Sequence, residues 1–258
     1  MKQLSKLSPA ETLVLLQDTN ARLKELLKVT FMDLLLKQVV RTIEVQKQSR
    51  RSDIIRVYKY VIIGQNFSNY QPLPHENVFL APFFKSKNVQ ILFRHIVKMG
   101  YQNSNSESSF QRILSKSPNL QFCFKRNIYN AIFGGFNVEV KGIELRNIVQ
   151  GEIAQLEKEL PQYIANEPEK ALHILKVIKG NIFILSNIEF DLLKQIDKEL
   201  LNEMNKEKTG EISSGCSGCT LDSFDNYSHS FDSSCSCDSG CSSSGCSGCG
   251  GSGCGGGD

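Results

Sequence analysis

TIEVQKQSRRSDIIRVYKYVII, residues 42–63, is the stretch on which the fold turns. Thr42 to Gln46 alternates polar and apolar side chains, the period of a half-buried strand. Residues 48–53 (QSRRSD) are polar throughout and predict a turn. Ile54 to Ile63 is dense in β-branched and aromatic residues, the composition of a second strand. A β-hairpin with Arg50 and Arg51 at its tip is the expectation.

What precedes this hairpin has a helical period. Ser8-Pro9-Ala10-Glu11 is a strong helix start: Ser8 caps, Pro9 suits the first helical position, and Glu11 closes a capping box. The apolar face of that helix runs to about Gln17. A second helix is expected over Ala21 to Lys28. A third, capped by Thr30, is expected over Phe31 to Val40. Three helices followed by a hairpin is the order of a winged helix, with Arg50 and Arg51 on the wing. The third helix is a poor reader of bases. Its polar positions are Thr30, Asp33, Lys37, Gln38 and, just beyond its end, Arg41, with no cluster of Arg or Asn to reach base edges. A protein-binding or structural winged helix is therefore preferred, and nucleic-acid binding through Arg50 and Arg51 stands as the alternative.

The expected fold class is mainly α: a winged-helix-like domain over residues 1–66, packed on a helical domain over 67–208, and a disordered tail over 209–258. In the second domain a short helix from His75 should stop before Pro82. A helix over Asn88–Met99 is capped by Ser86 and closed by Gly100. A short helix ends near Lys116, and a very apolar one spans Leu120–Phe133 with Cys123 in its packed face. Phe136 to Val140 makes a brief strand. A long amphipathic helix runs to about Leu160, where Pro161 kinks or stops it. A helix opened by Pro168 and closed by Gly180 should pair with a final one over Ile188–Lys206, forming a hairpin on the long helix. The helices and the strand between residues 67 and 160 also fit a degraded second winged helix.

The tail is a different material. It is built mainly of Ser, Gly, Cys and Asp, and holds eight of the nine cysteines: Cys216, Cys219, Cys235, Cys237, Cys241, Cys246, Cys249 and Cys254. All 30 Lys and Arg lie at or before Lys208, and six of the 27 acids lie after it, so the body is +9 and the tail −6. A basic body attracts polyanions, and its own tail is one of them. Cys216/Cys219 and Cys246/Cys249 are Cys-Ser-Gly-Cys pairs. A tight turn there brings both sulfurs to about 2.3 Å from zinc or another thiophilic ion. With few apolar residues around the thiols, a metallothionein-like cluster fits better than a four-cysteine zinc fold. Three other readings stay open: reduced thiols in a disordered segment, disulfides after export, and a Ser/Cys/Gly precursor whose side chains are cyclised.

The body shows no P-loop, no nucleophile elbow and no His-x-x-x-His spacing among His75, His95 and His173. A non-enzymatic interaction protein is expected. With no apolar segment behind Met1 that reads as a signal, and no apolar run of about 18 residues, the expected compartment is the cytoplasm. The expected partner is a protein or the chain's own tail; nothing in the sequence reports an oligomeric state.

Residues 7–16 (LSPAETLVLL) and 34–40 (LLLKQVV) resemble the start of the Golgi-phosphoprotein-type helical domains. Taken with residues 246–257 (CSGCGGSGCGGG), the chain is also similar to bacterial proteins of unknown function that join a winged-helix-like head to a Gly/Cys-rich tail. The second resemblance covers more of the chain. It implies head-and-tail organisation; those bacterial proteins often carry membrane spans between the two, which this sequence lacks. Neither resemblance assigns a role to a residue.

Overall fold

The computed structural model describes residues 1–48, 56–125 and 136–186. They form a mainly helical body with a small antiparallel sheet. Helix α1 (Pro9–Gln17) starts as its sequence dictates. Glu11 N donates to Ser8 Oγ at 3.4 Å, and Ser8 N donates to Glu11 Oε2 at 2.7 Å, satisfying amides that a helix start leaves orphaned.

Helix α2 (Leu23–Leu36) departs from expectation. The two predicted helices over Ala21–Lys28 and Phe31–Val40 are one. Thr30 caps nothing; its hydroxyl turns back onto the Leu26 carbonyl at 2.7 Å inside the continuous helix. Adjacent β-branched Val29 and Thr30 cost only tenths of a kcal/mol in helix propensity. Fully burying Leu26, Leu27, Phe31 and Leu34 gains roughly 1.5–3 kcal/mol each, so burial decides. Two helices, not three, precede the hairpin. The segment that a winged helix would lay on nucleic acid is the buried C-terminal half of α2.

Strands β1 (Val40–Lys47) and β2 (Arg56–Ile63) form the expected hairpin, in the register Val40↔Ile63 to Lys47↔Arg56. A third strand, β3 (Ile91–Leu92), pairs with β2 through Ile91↔Val61 and Leu92↔Tyr60. Here the sequence had predicted the first turns of a helix over Asn88–Met99. The helix instead starts after the strand as α4 (Phe93–Asn103) and continues through Gly100. A Cβ at Gly100 would lie 2.2 Å from the Phe79 ring, so this glycine serves helix packing rather than termination.

Helix α3 (Asn77–Lys85), entered through a 3-10 turn at Pro74–Glu76, runs past Pro82. Proline removes the bond to the carbonyl four residues back. That carbonyl, on Val78, accepts instead from Asn103 Nδ2 of α4 at 3.0 Å. Helix α5 (Glu107–Ser115) is capped by Ser106, whose Oγ accepts from Ser109 N at 3.1 Å.

Over Leu120–Lys125 the expected helix is absent. The chain makes turns and then β4 (Phe124–Lys125), which pairs with β5 (Asn137–Val138); the rest of that predicted helix, residues 126–133, lies outside the described residues. Phe124 meets Phe136 edge-on at 4.5 Å between ring centroids, and the Cys123 carbonyl accepts from Glu139 N at 2.9 Å, so partners brought from residues 136–139 outweigh local helix preference. Cys123 itself is buried, as expected of a packing residue.

Helix α6 (Val140–Asn166) continues through Pro161 without a stop, and α7 (Pro168–Ile178) follows after Glu167. A 3-10 segment, Lys179–Ile184, then returns to the N-terminal helices. There Asn181, 2% exposed, donates to the Leu4 and Leu7 carbonyls at 2.9 and 2.8 Å and accepts from Thr12 Oγ1 at 2.7 Å. One continuous core joins both ends of the described chain, with Phe31 against Phe79 and Phe93 at 5.2 and 5.6 Å. The predicted final helix over Ile188–Lys206 and the tail lie outside the described residues.

Candidate nucleic-acid interface

The β1–β2 hairpin has two chemically distinct faces, because directly paired residues project to the same side and successive residues alternate. One face carries Val40, Thr42, Glu44 and Gln46 opposite Ile63, Val61, Lys59 and Val57. Near its root Val40 and Val61 are buried in the core. Further out, Lys59 pairs with Glu44 at 3.9 Å, so charge on this face is balanced.

The other face carries Arg41, Ile43, Val45 and Lys47 opposite Ile62, Tyr60, Tyr58 and Arg56. Lys47 Nζ donates to the Tyr60 hydroxyl at 3.0 Å and lies 5.3 and 6.0 Å from the Tyr60 and Tyr58 ring centroids. The Tyr60 contact raises the pKa of the exposed Lys47 ammonium, which stays charged throughout the neutral range. Arg41 and Arg56 flank the tyrosines, and neither forms an ion pair with a described residue. This face is a basic ribbon with two aromatic rings set between cations.

The root of the ribbon is locked. Helix α2 ends with Gln38 at φ 53°, in the left-handed region. Val39 N donates to the Leu34 carbonyl at 3.0 Å and Gln38 N to the Leu35 carbonyl at 2.9 Å, a Schellman ending built on glutamine instead of the usual glycine. The returning strand closes on this turn: Gly64 N donates to Val39 O at 2.8 Å, and Asn66 Nδ2 to Lys37 O at 2.8 Å. A Cβ at Gly64 would stand 2.0 Å from the Gln38 carbonyl oxygen, so only glycine allows this approach.

Beneath the root lies a buried ionic cluster. Lys37 Nζ contacts Asp33 Oδ2 at 2.5 Å, the Tyr70 hydroxyl at 3.3 Å and Glu76 Oε1 at 3.7 Å, and Tyr70 donates to Glu76 Oε1 at 2.6 Å. Burial pushes both the Asp33 and Glu76 carboxyls upward, against the pull of Lys37. Burial also pulls the Lys37 ammonium down, but Asp33 and Glu76 together outweigh it and the net shift is upward. Tyr70 is raised by burial and then by Glu76, so its hydroxyl stays protonated and remains a donor. His75, also buried, packs edge-on to Phe110 at 6.3 Å and its Nδ1 has no partner. Burial, with a smaller contribution from Lys37, lowers its pKa to about 3, so the imidazole is neutral. This arrangement ties the end of α2 to the turn before α3 and fixes the direction in which the ribbon leaves the body.

Arg50 and Arg51 and all eight tail cysteines lie outside the described residues. Among the described residues no group of three or more His, Cys, Asp and Glu is placed to hold a metal ion. No helix among them is long and apolar enough to cross a membrane. The register alone, which alternation in the sequence already implied, sets Arg41, Lys47, Arg56, Tyr58 and Tyr60 on one side. Comparison with protein-family models, with curated proteins and with solved structures finds no match to this chain.

Proposed function

We propose that this is a non-enzymatic interaction protein whose β1–β2 ribbon binds single-stranded nucleic acid. The observation that carries the reading is the face made by Arg41, Lys47, Arg56, Tyr58 and Tyr60, on a ribbon whose root is held rigid. Bases of an unpaired strand stack on aromatic rings, and cations beside the rings follow the phosphates. In sequence the stretch is basic throughout: residues 41–59 hold Arg41, Lys47, Arg50, Arg51, Arg56 and Lys59 against Glu44 and Asp53. Recognition in this reading lies along the flank of the strands, whereas the winged-helix alternative rested on Arg50 and Arg51 of the wing.

The test is fluorescence anisotropy of the full chain with a labelled single-stranded oligonucleotide and its duplex, at several salt concentrations. Tyr58→Ala/Tyr60→Ala should weaken single-strand binding by about tenfold or more, since one stacked base is worth about 1–3 kcal/mol. Arg41→Ala/Arg56→Ala should reduce the salt slope by about 1.4, at about 0.7 per phosphate contact on a single strand. Absence of binding at low salt, or tyrosine variants that bind as wild type does, would overturn the proposal.

A second reading rests on the spacing of the tail cysteines. Cys216/Cys219 and Cys246/Cys249, with Cys235, Cys237, Cys241 and Cys254, form a thiolate store for zinc or another soft ion. Metal content of anaerobically purified full chain tests it. A value below about 0.5 equivalents would remove it, because thiolate sites of structural strength retain their ion through purification.

A further inference from the structure

Helix α6 meets the core along one line and leaves the opposite line exposed among the described residues. The buried line is Gly142, Val149 and Leu156, spaced by seven residues. Glu144, Gly151 and Lys158 keep the same spacing, and at about 100° per residue they lie about 160° around the helix from it. All three are exposed, and nothing lies within 4 Å of a Cβ built at Gly151. Apolar side chains accompany this outer line. Val140, in its extension, is 70% exposed, and Ile143 on one flank and Ile148 on the other are each 48% exposed.

We infer that this face is an antiparallel contact with a second copy of the chain, crossing at Gly151. Charge decides the occupant. Glu144 and Lys158 stand equally far from Gly151, about 10.5 Å along the axis on either side. An identical helix laid antiparallel across Gly151 therefore sets its Lys158 on Glu144 and its Glu144 on Lys158, two opposite-charge pairs from one arrangement. A parallel copy would set glutamate on glutamate and lysine on lysine. Neither side chain forms an ion pair with a described residue of its own chain. Self-complementarity of this kind is what a two-fold contact requires, since residue i meets j and j meets i.

The middle of the face obeys the same symmetry. Asn147 and Ile148, one turn before Gly151, meet Ala154 and Gln155, one turn after it, in the other copy, and all four are exposed. At the crossing the two glycines present no side chain, which lets the backbones approach closely and brings the flanking isoleucines within reach. Such a dimer presents two β1–β2 ribbons, whatever they bind.

Sedimentation of the full chain tests it, with reductant and chelator present so that the tail thiols neither crosslink nor share a metal ion. The mass should rise from one chain to two as the concentration approaches about 100 µM, a range open to small contacts. Glu144→Lys puts two like-charge pairs into the contact and should weaken the dimer by about tenfold or more, as should Lys158→Glu. Glu144→Lys/Lys158→Glu restores both pairs in reverse and should return the dimer to within about threefold of wild type. Gly151→Phe should abolish it by holding the helices apart, with the far-UV circular dichroism unchanged because the position is exposed. A wild type that stays monomeric would overturn the inference and leave the face to another occupant. A dimer that survives Gly151→Phe or a single charge reversal would place the contact elsewhere, and a double reversal as weak as the single ones would refute the register.

Discussion

Acidification should destabilise this protein through His75, by an amount the structure lets one work out. The imidazole is buried with its Nδ1 unpaired, and burial, with the nearby Lys37 cation, lowers the His75 pKa to about 3 from the ordinary value of about 6.5. A group with a depressed basic pKa stays neutral in the folded state while the unfolded chain takes up a proton. Stability is therefore intact above pH 6.5 and is lost progressively as the pH falls from there towards 3. Between about pH 7.5 and pH 5 the loss is about 2 kcal/mol, since the unfolded pKa lies about 1.5 units above the lower limit at about 1.36 kcal/mol per unit. Asp33 and Glu76 act in the opposite sense. Their carboxyls are raised, so the folded state holds protons that the unfolded state has released, and lowering the pH favours folding through them. The His75 contribution must be isolated by difference. Urea denaturation followed by far-UV circular dichroism suits a chain with no tryptophan. Wild type and His75→Leu should differ in their pH dependence by about 2 kcal/mol over this window, with the variant losing less. Curves that run parallel to within about 0.5 kcal/mol would refute the argument, because they would mean that the buried imidazole protonates as easily as it does in the unfolded chain.

Two further outcomes are expected. Asn181→Ala removes the amide that the Leu7 carbonyl accepts from and one of two partners at the Leu4 carbonyl and the Thr12 hydroxyl, which keep Leu7 N and Ser8 O, and should cost about 2 kcal/mol in urea unfolding, at about 1–3 kcal/mol per buried group left unpaired. A loss below about 1 kcal/mol would show that solvent replaces those bonds. Gly64→Ala forces a methyl onto the Gln38 carbonyl and should lower the thermal midpoint by several degrees, at about 2–4 °C per kcal/mol for a domain of about 150–250 residues. An unchanged midpoint would show that the hairpin root yields easily.

Local chemistry was legible wherever a few neighbouring residues decide the outcome. The capping box at Ser8 and Glu11 formed as read, because both partners lie within one turn. The strands of the hairpin followed from alternation and β-branched composition, and the long α6 from its amphipathic period. The ribbon face was implicit in the same alternation. The charge of Arg50 and Arg51 stands out in the sequence, whereas only the pairing of β1 with β2 gathers Lys47, Tyr58 and Tyr60. The buried cluster was not legible, since Asp33 and Lys37 meet Tyr70 and Glu76 only after α2 and the turn before α3 have packed.

Sequence by itself determined that the chain would be mainly helical with one hairpin, and that a basic body would precede an acidic thiol-rich tail. Tertiary structure decided where helices stop. Thr30, Pro82, Gly100 and Pro161 all read locally as boundaries, and all four lie inside helices. At Thr30 the local preference is worth tenths of a kcal/mol, against several for the core side chains of α2. At Pro82 the orphaned carbonyl finds Asn103, and at Gly100 the missing side chain leaves room for Phe79. Leu120–Lys125 shows the converse, a helical pattern that became turns and a strand because its partners, Phe136 to Glu139, arrive from beyond the local window. Propensity acts over one turn of chain, whereas burial and hydrogen-bond satisfaction are settled by whatever the fold brings alongside.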